Sequence, residues 1–217
     1  MKFFNPLRLL GYWLVSFSAA IVIVAGWPIV NAEAAYRLNK LRGVHFVLQS
    51  TASQPHFDDV VREGDIKILT PVDTNFGLVI PAIGLNAKVF PNVDLANEEE
   101  YDQVLSLGVA QALGSAVPGQ KGTVYLFGHS ANLSFNYSEI NAVFYLLGKL
   151  KAGDEVNVFY NGWRYTYQIT EVNTVSPEKT DFFDNTGEER LVLQTCWPPG
   201  TQWQRLVIVA KPTYSQT

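Results

Sequence analysis

Three side chains in this sequence could carry nucleophilic catalysis. Cys196 is the one cysteine among 217 residues, and a cysteine attacks once its thiolate is formed by a base or favoured by a cation. It follows a short apolar run, residues 191–195. Pro198-Pro199-Gly200 then stops that run, because proline cannot donate to a sheet ladder. A second apolar run covers residues 205–210 and opens on Arg205. If the two runs pair, both side chains reach the same end of a sheet, a nucleophile beside a cation that serves it. A lone cysteine is also commonly a small buried hydrophobe. Its place at a strand end, after Thr195 and at hairpin distance from an arginine, argues for the reactive form.

Such a nucleophile needs a base, and the chain offers three histidines. His45 and His56 lie in a polar region ahead of the main body. His129 is different, because it follows the apolar run 123–127 and Gly128 and precedes the polar Ser130, Asn132 and Ser134. This too is a strand end. A histidine there serves equally well as a structural residue. Cysteine, histidine and arginine at three strand ends make a sharper set than any one of them.

Leu193-Gln194-Thr195-Cys196 followed by Arg205, with Gly128-His129-Ser130 upstream, resembles the catalytic signature of the sortases. These are membrane-anchored cysteine transpeptidases of, mostly, Gram-positive cell surfaces. The resemblance covers residues 76–212 and includes an opening strand over 78–85 and the Gly119-Gln120-Lys121-Gly122 segment before the histidine strand. Val192 stands where a threonine is usual, which bears on the subclass rather than on the chemistry. Pilin-polymerising members usually carry a second hydrophobic segment at the C-terminus, whereas residues 211–217 are mostly polar. The expectation is therefore an enzyme of wall attachment, or with a housekeeping-like role, closer to classes D and E than to the pilin enzymes.

The resemblance also implies roles. Cys196 would attack the threonine carbonyl of a C-terminal sorting signal similar to Leu-Pro-x-Thr-Gly and form a thioester. His129 would protonate the departing amine and deprotonate the incoming one, and Arg205 would stabilise the oxyanion or fix the substrate carbonyls. Thr195 is a candidate second donor, with Ser130, Phe182 and Phe183 as further substrate-binding candidates. The two phenylalanines lie in the 176–190 loop, where the resemblance places part of the specificity. The partners implied are surface proteins bearing the signal and an amine acceptor on peptidoglycan or another surface protein. No cofactor is expected. Some sortases use calcium, but Asp181 and Asp184 fall short of a six- to eight-oxygen site, so no metal is expected either. Two other readings stay open: another Cys/His cell-wall enzyme, an L,D-transpeptidase or papain-like peptidase, and a non-catalytic anchored β-barrel that binds peptides over a buried Cys196. Arg205 in the following strand favours the sortase.

Around these residues the sequence must build a scaffold. Residues 9–30 form an apolar run without a charge, and about twenty such residues span a bilayer as a helix. Tyr12-Trp13 and Trp27 near its ends resemble an interfacial aromatic belt. Val30-Asn31-Ala32 has the small-residue spacing of a signal-peptide cleavage site, but the run exceeds the usual signal core, and a retained anchor is favoured. Basic residues flank it on both sides, so charge does not orient it, and the resemblance places the body outside. The organisation is then a cytoplasmic terminus over 1–8, an anchor over 9–30, a stalk or linker over 31–75 and a catalytic domain over 76–217. Within the linker, residues 32–41 keep helical spacing, and 50–64 is either a polar spacer or a flap.

In the body, residues 77–82 and 87–90 read as strands, and Glu98-Glu99-Glu100 opens a short helix whose first turn suits acidic residues. Residues 138–150 read as a second helix with Ser138 as N-cap. Asn161-Gly162 between two alternating runs is a strong hairpin signal, and the stripe Trp163, Tyr165, Tyr167, Ile169 is the packed face of a sheet. Strands outnumber helices, and there is neither βαβ alternation nor zinc spacing nor a repeat. Pattern alone gives a mainly β domain, barrel or sandwich. The sortase resemblance sharpens this to a closed barrel of about eight strands with short connecting helices. A net charge of −4 suggests no nucleic-acid partner, and 47% hydrophobic residues suffice for a real core.

Overall fold

The structure, a computed structural model, describes residues 6–48, 66–130, 144–184 and 187–213. One long helix, α1 (Pro6–Leu41), leads into a short parallel pair, β1 (His45–Leu48) with β2 (Ile66–Leu69). The body is built from β3 (Phe76–Ile80), β4 (Leu85–Val93), helix α2 (Glu98–Leu107), β5 (Val109–Ala112), β6 (Thr123–Gly128), β7 (Glu155–Tyr160), β8 (Trp163–Val175), β9 (Arg190–Trp197) and β10 (Gln204–Pro212). The eight strands β3 to β10 close into a barrel in the order β10-β8-β7-β3-β4-β5-β6-β9. Barrel, not sandwich, is the outcome, and closure removes the unpaired edges that a small sheet would expose.

Alternation along the strands sorts side chains to two faces. Val124 and Leu126 of β6, Leu191 and Leu193 of β9, and Leu206 and Ile208 of β10 point into the barrel with Leu78, Ile80, Val156 and Tyr167. Their neighbours Tyr125, Phe127, Val192, Val207 and Val209 point outward into a second apolar cluster. That outer cluster is roofed by Tyr101, Val104 and Leu105 of α2 and by Phe182 of the 3₁₀ turn Asp181–Phe183. A barrel face that would otherwise meet water is thus covered by the two connections that frame the site.

The hairpin and the acidic helix start are borne out in detail. Asn161 and Gly162 both adopt positive φ, 50° and 82°, the pair of values a two-residue turn of the favoured hand requires. Tyr167 and Ile169 are core residues, Tyr165 packs against them, and Trp163 at the tip is exposed. Asn97 caps α2: its side chain accepts from the Glu100 amide and donates to the Glu100 carboxylate, each at 3.3 Å.

Only the end of the second predicted helix falls within the described residues. Residues 138–143, including the Ser138 cap, lie outside them, Phe144 is helical, and Tyr145–Lys149 continues as a 3₁₀ turn. A Cβ at Gly148 would stand 2.6 Å from the Trp197 ring, so glycine lets this turn approach β9. The spacer or flap predicted over 50–64 also lies outside the described residues.

Helix α1 reaches the barrel at its C-terminal end. Lys149 and Arg37 both donate to the same Glu33 oxygen, at 3.0 Å and 2.7 Å, and Tyr36 packs on the barrel core. Leu48 and Leu69 of the parallel pair pack with Val79 and Phe159 on the barrel's outer face. Among the described residues no helix is long and apolar enough to cross a membrane.

Candidate active site

Strand register brings the three chemical side chains together. Arg205 lies directly opposite Cys196 in the antiparallel β9–β10 ladder. In the parallel β6–β9 ladder the last pair is Gly128 with Thr195, so His129 and Cys196 follow one residue further along neighbouring strands. Outward parity does the rest. Cys196 continues the Val192 and Gln194 row, His129 the Tyr125 and Phe127 row, and Arg205 begins the Val207 and Val209 row. All three side chains face outward at one end of three adjacent strands, about 5 Å from row to row. They line a single cleft of about 380 Å³ with Leu95, Ala96, Tyr101, Leu105, Gln194 and Gln202.

Each member is held by its strand neighbours. Thr195 points the opposite way from Cys196, is buried, and donates its hydroxyl to the Gly128 carbonyl at 2.8 Å. This bond ties the cysteine strand to the histidine strand at the last residue before each reactive side chain. Thr195→Val keeps the shape and removes the donor, leaving a buried carbonyl one partner short. The expected loss is about 1–3 kcal/mol of folding stability, read as a lower urea midpoint at unchanged slope.

Arg205 Nη1 donates to the carbonyls of Gln202 and Gln204, each at 3.2 Å, which leaves the rest of its fork for the cleft. Gln194 accepts from the Tyr125 hydroxyl. Burial pushes the Tyr125 phenol up to about 12, against the opposing pull of Arg205, so it remains a donor at any working pH. His129 is largely buried, with Tyr101 edge-on at 5.9 Å and Asp102 Oδ1 3.7 Å from Nε2. Burial lowers its pKa from the usual histidine value, and the Asp102 charge acts in the opposite sense.

The remaining sequence candidates fall elsewhere. Ser130 is buried, and its hydroxyl meets no partner among the described residues. Phe183 stacks obliquely on Tyr125 at 5.2 Å, while Phe182 packs on the outer cluster under the Lys179 ammonium. Neither phenylalanine, nor Ser130, lines the cleft described above. Of the substrate-binding candidates, only Thr195 reaches it, with its hydroxyl already committed. Among the described residues no three His, Cys, Asp or Glu side chains gather as a metal site would need.

Sequence reasoning missed the wall that α2 builds. Its acidic start answers the helix dipole in the first turn. The further signal was there: Tyr101 and Leu105 stand four apart and both face the barrel, which sets Asp102 at the border of that buried stripe.

The arrangement places a thiol, an imidazole and a guanidinium in one groove, the parts of acyl transfer through a covalent intermediate. The family model for the sortase domain matches residues 78–213. Sortase A of Bacillus anthracis is 29% identical over 167 residues, covering 76% of this chain and 71% of that protein. For the first relatives the matched share of their own length runs from 51% to 71%. Among solved structures, sortase C-1 from Actinomyces oris superposes with a TM-score of 0.55 at 26% identity, covering 66% of this chain and 76% of that one. A Clostridium perfringens Sortase D5 transpeptidase gives 0.54 at 25% identity, covering 65% and 80%.

Proposed function

This chain belongs to the sortase family, and we propose that it is a cysteine transpeptidase that moves surface proteins from a sorting signal onto an amine acceptor. The observation that supports this best is the convergence of Cys196, His129 and Arg205 in one cleft by register and parity together. A merely buried cysteine needs no cation opposite and no imidazole beside it.

In the proposed reaction the Cys196 thiolate attacks the threonine carbonyl of a Leu-Pro-x-Thr-Gly-like signal. Negative charge gathers on the carbonyl oxygen, where the permanent charge of Arg205 and its free N–H groups are suited to receive it. As the carbon–nitrogen bond to the following residue breaks, His129 gives its proton to the leaving amine, and the threonine is left as a thioester on Cys196. An incoming amine then attacks the thioester carbon. His129 takes a proton from that amine, the carbon–sulfur bond breaks, and an amide forms as the thiolate returns. The peptide bond energy is kept in the thioester, so no ATP is consumed. Thr195 and Gly128 contribute by fixing the two strands that carry the reacting groups.

The chain would be held at the cell membrane with its barrel outside. Support comes from the charge-free apolar run over 9–30, along which Leu10, Trp13, Val15, Phe17, Ile23 and Val30 are exposed. The division into terminus, anchor, linker and catalytic domain follows from the same reading. The likeness to a class D structure is in keeping with a wall-anchoring role of the D/E type.

The test is product chemistry with the full chain in detergent. A peptide carrying the signal, incubated with a glycine-based amine, should yield a product cut after threonine and joined there to the added amine. Cleavage at other bonds, or attack on D-amino-acid cross-links instead, would replace the sortase reading with another cell-wall enzyme.

A further inference from the structure

The His129 ring is held in the cleft, but one of its nitrogens is unsatisfied. Nε2 is buried and makes no hydrogen bond among the described residues. Asp102 Oδ1 lies 3.7 Å away. That gap is too long for a hydrogen bond but within ion-pair range, and the Asp102 side chain is 58% exposed rather than packed in place. The helix that carries Asp102 is fixed at both levels that matter. Asn97 caps its start, and Leu105, one turn beyond Tyr101, is buried against the barrel. The charges around the ring complete the case. Arg205 brings a permanent positive charge to the same cleft, Cys196 a thiol, and Tyr101 an aromatic edge. Asp102 is the carboxylate the fold sets against the imidazole.

Building on the sortase reading above, we propose that Asp102 is the positioning residue of His129: its carboxylate receives the Nε2–H, turns the other ring nitrogen toward the reacting atoms, and steadies the imidazolium that protonates the leaving amine. A buried imidazole resists charging, because desolvation disfavours the cation, and the Asp102 charge acts in the opposite sense. A carboxylate bonded to one ring nitrogen also fixes the tautomer. The proton balance is unchanged by this role. His129 still gives one proton to the leaving amine and recovers one from the incoming amine, while Asp102 gives none and takes none.

Two readouts on the full chain in detergent micelles test this. The first is the histidine titration followed by NMR of ring-labelled protein, with His129 assigned by its loss in His129→Ala. The second is the pH profile of kcat and KM for peptide transfer. In Asp102→Asn the His129 titration should move to lower pH, since the ring loses its stabilising anion. The alkaline limb of the kcat profile should move with it, because the charged form is then lost sooner as pH rises. At neutral pH kcat should fall about tenfold with KM within about twofold. Asp102→Glu should recover most of both, and Glu99→Gln on the same helix should move neither. A folded Asp102→Asn chain with the His129 titration and the pH profile unchanged would overturn the proposal. So would equal losses in the Asn and Glu variants with no shift along pH, which mark a packing role. If the unaltered chain transfers no peptide at all, the sortase reading fails, and the NMR titration still decides whether Asp102 and His129 are paired.

Discussion

Cys196→Ala should abolish transfer, with a fall in kcat/KM of about 10⁴-fold or more and no acyl-enzyme at any time. The size follows from the proposed chemistry. Without sulfur there is no covalent step, and the oxyanion donors and bound substrate alone give only background turnover. Cys196 is half-buried at the end of β9 and faces the cleft rather than the barrel interior. Removing its sulfur should therefore cost little stability, and the melting temperature should stay within a few degrees. Peptide transfer assayed beside thermal unfolding separates the two effects. Residual activity above about 1% of the starting rate, in a preparation free of unaltered enzyme, would place the nucleophile elsewhere.

The second large effect is expected at Arg205. Arg205→Ala should lower kcat by about 10²–10³-fold, the range seen when a main oxyanion donor is removed. Arg205→Lys keeps the charge but not the planar fork, which here bonds two turn carbonyls with one nitrogen and faces the cleft with the others. It should recover only part of the loss. A further consequence tells this apart from a fold defect. Tyr125 feels the Arg205 charge, which opposes the upward push of burial on its phenol. In Arg205→Ala the Tyr125 titration should move further up, detectable in an alkaline absorbance titration against a Tyr125→Phe control. Unchanged kcat in Arg205→Ala would remove the arginine from the reaction.

The reactive residues were legible because each stands at one end of an apolar run. Gly128 and the Pro198-Pro199-Gly200 stop mark those ends in the sequence, and a hairpin across the stop puts Arg205 opposite Cys196. The pairing of β6 with β9 was not legible. It is parallel and joins residues 67 apart, as Gly128 with Thr195 shows, and no local pattern fixes such a register. The closing of the sheet into a barrel was equally beyond pattern alone, and only the family resemblance supplied it. Short β5, with four residues all buried, lacks the alternation that would mark a strand. Phe144 and Leu147 carry part of the helical spacing read over 138–150 and fill the barrel core, while Gly148 brings the closing 3₁₀ turn against Trp197. For Phe182 and Phe183 the resemblance suggests a substrate groove and the residue types equally suggest a cap on the barrel. Their packing on Tyr125 and the outer cluster fits the cap, part of the roof over β6 and β9.

Asp102 shows the same lesson from the other side. Its neighbours in the sequence are acids that serve the helix start, and only the folded position of α2 across the end of β6 distinguishes it from them. Chemistry-bearing residues on strand ends can be found by pattern. Those that act across an element boundary are found by geometry.

The central claim is that Cys196 takes up a peptide acyl group as a thioester, and intact-mass spectrometry of the full chain reads this most directly. The chain is incubated with a set of sorting-signal peptides, quenched in acid and weighed. The account predicts a mass increase equal to the peptide up to its threonine, located on Cys196, absent in Cys196→Ala and released by hydroxylamine. No adduct with any peptide, in a chain whose Cys196 still reacts rapidly with a small alkylating agent, would contradict it.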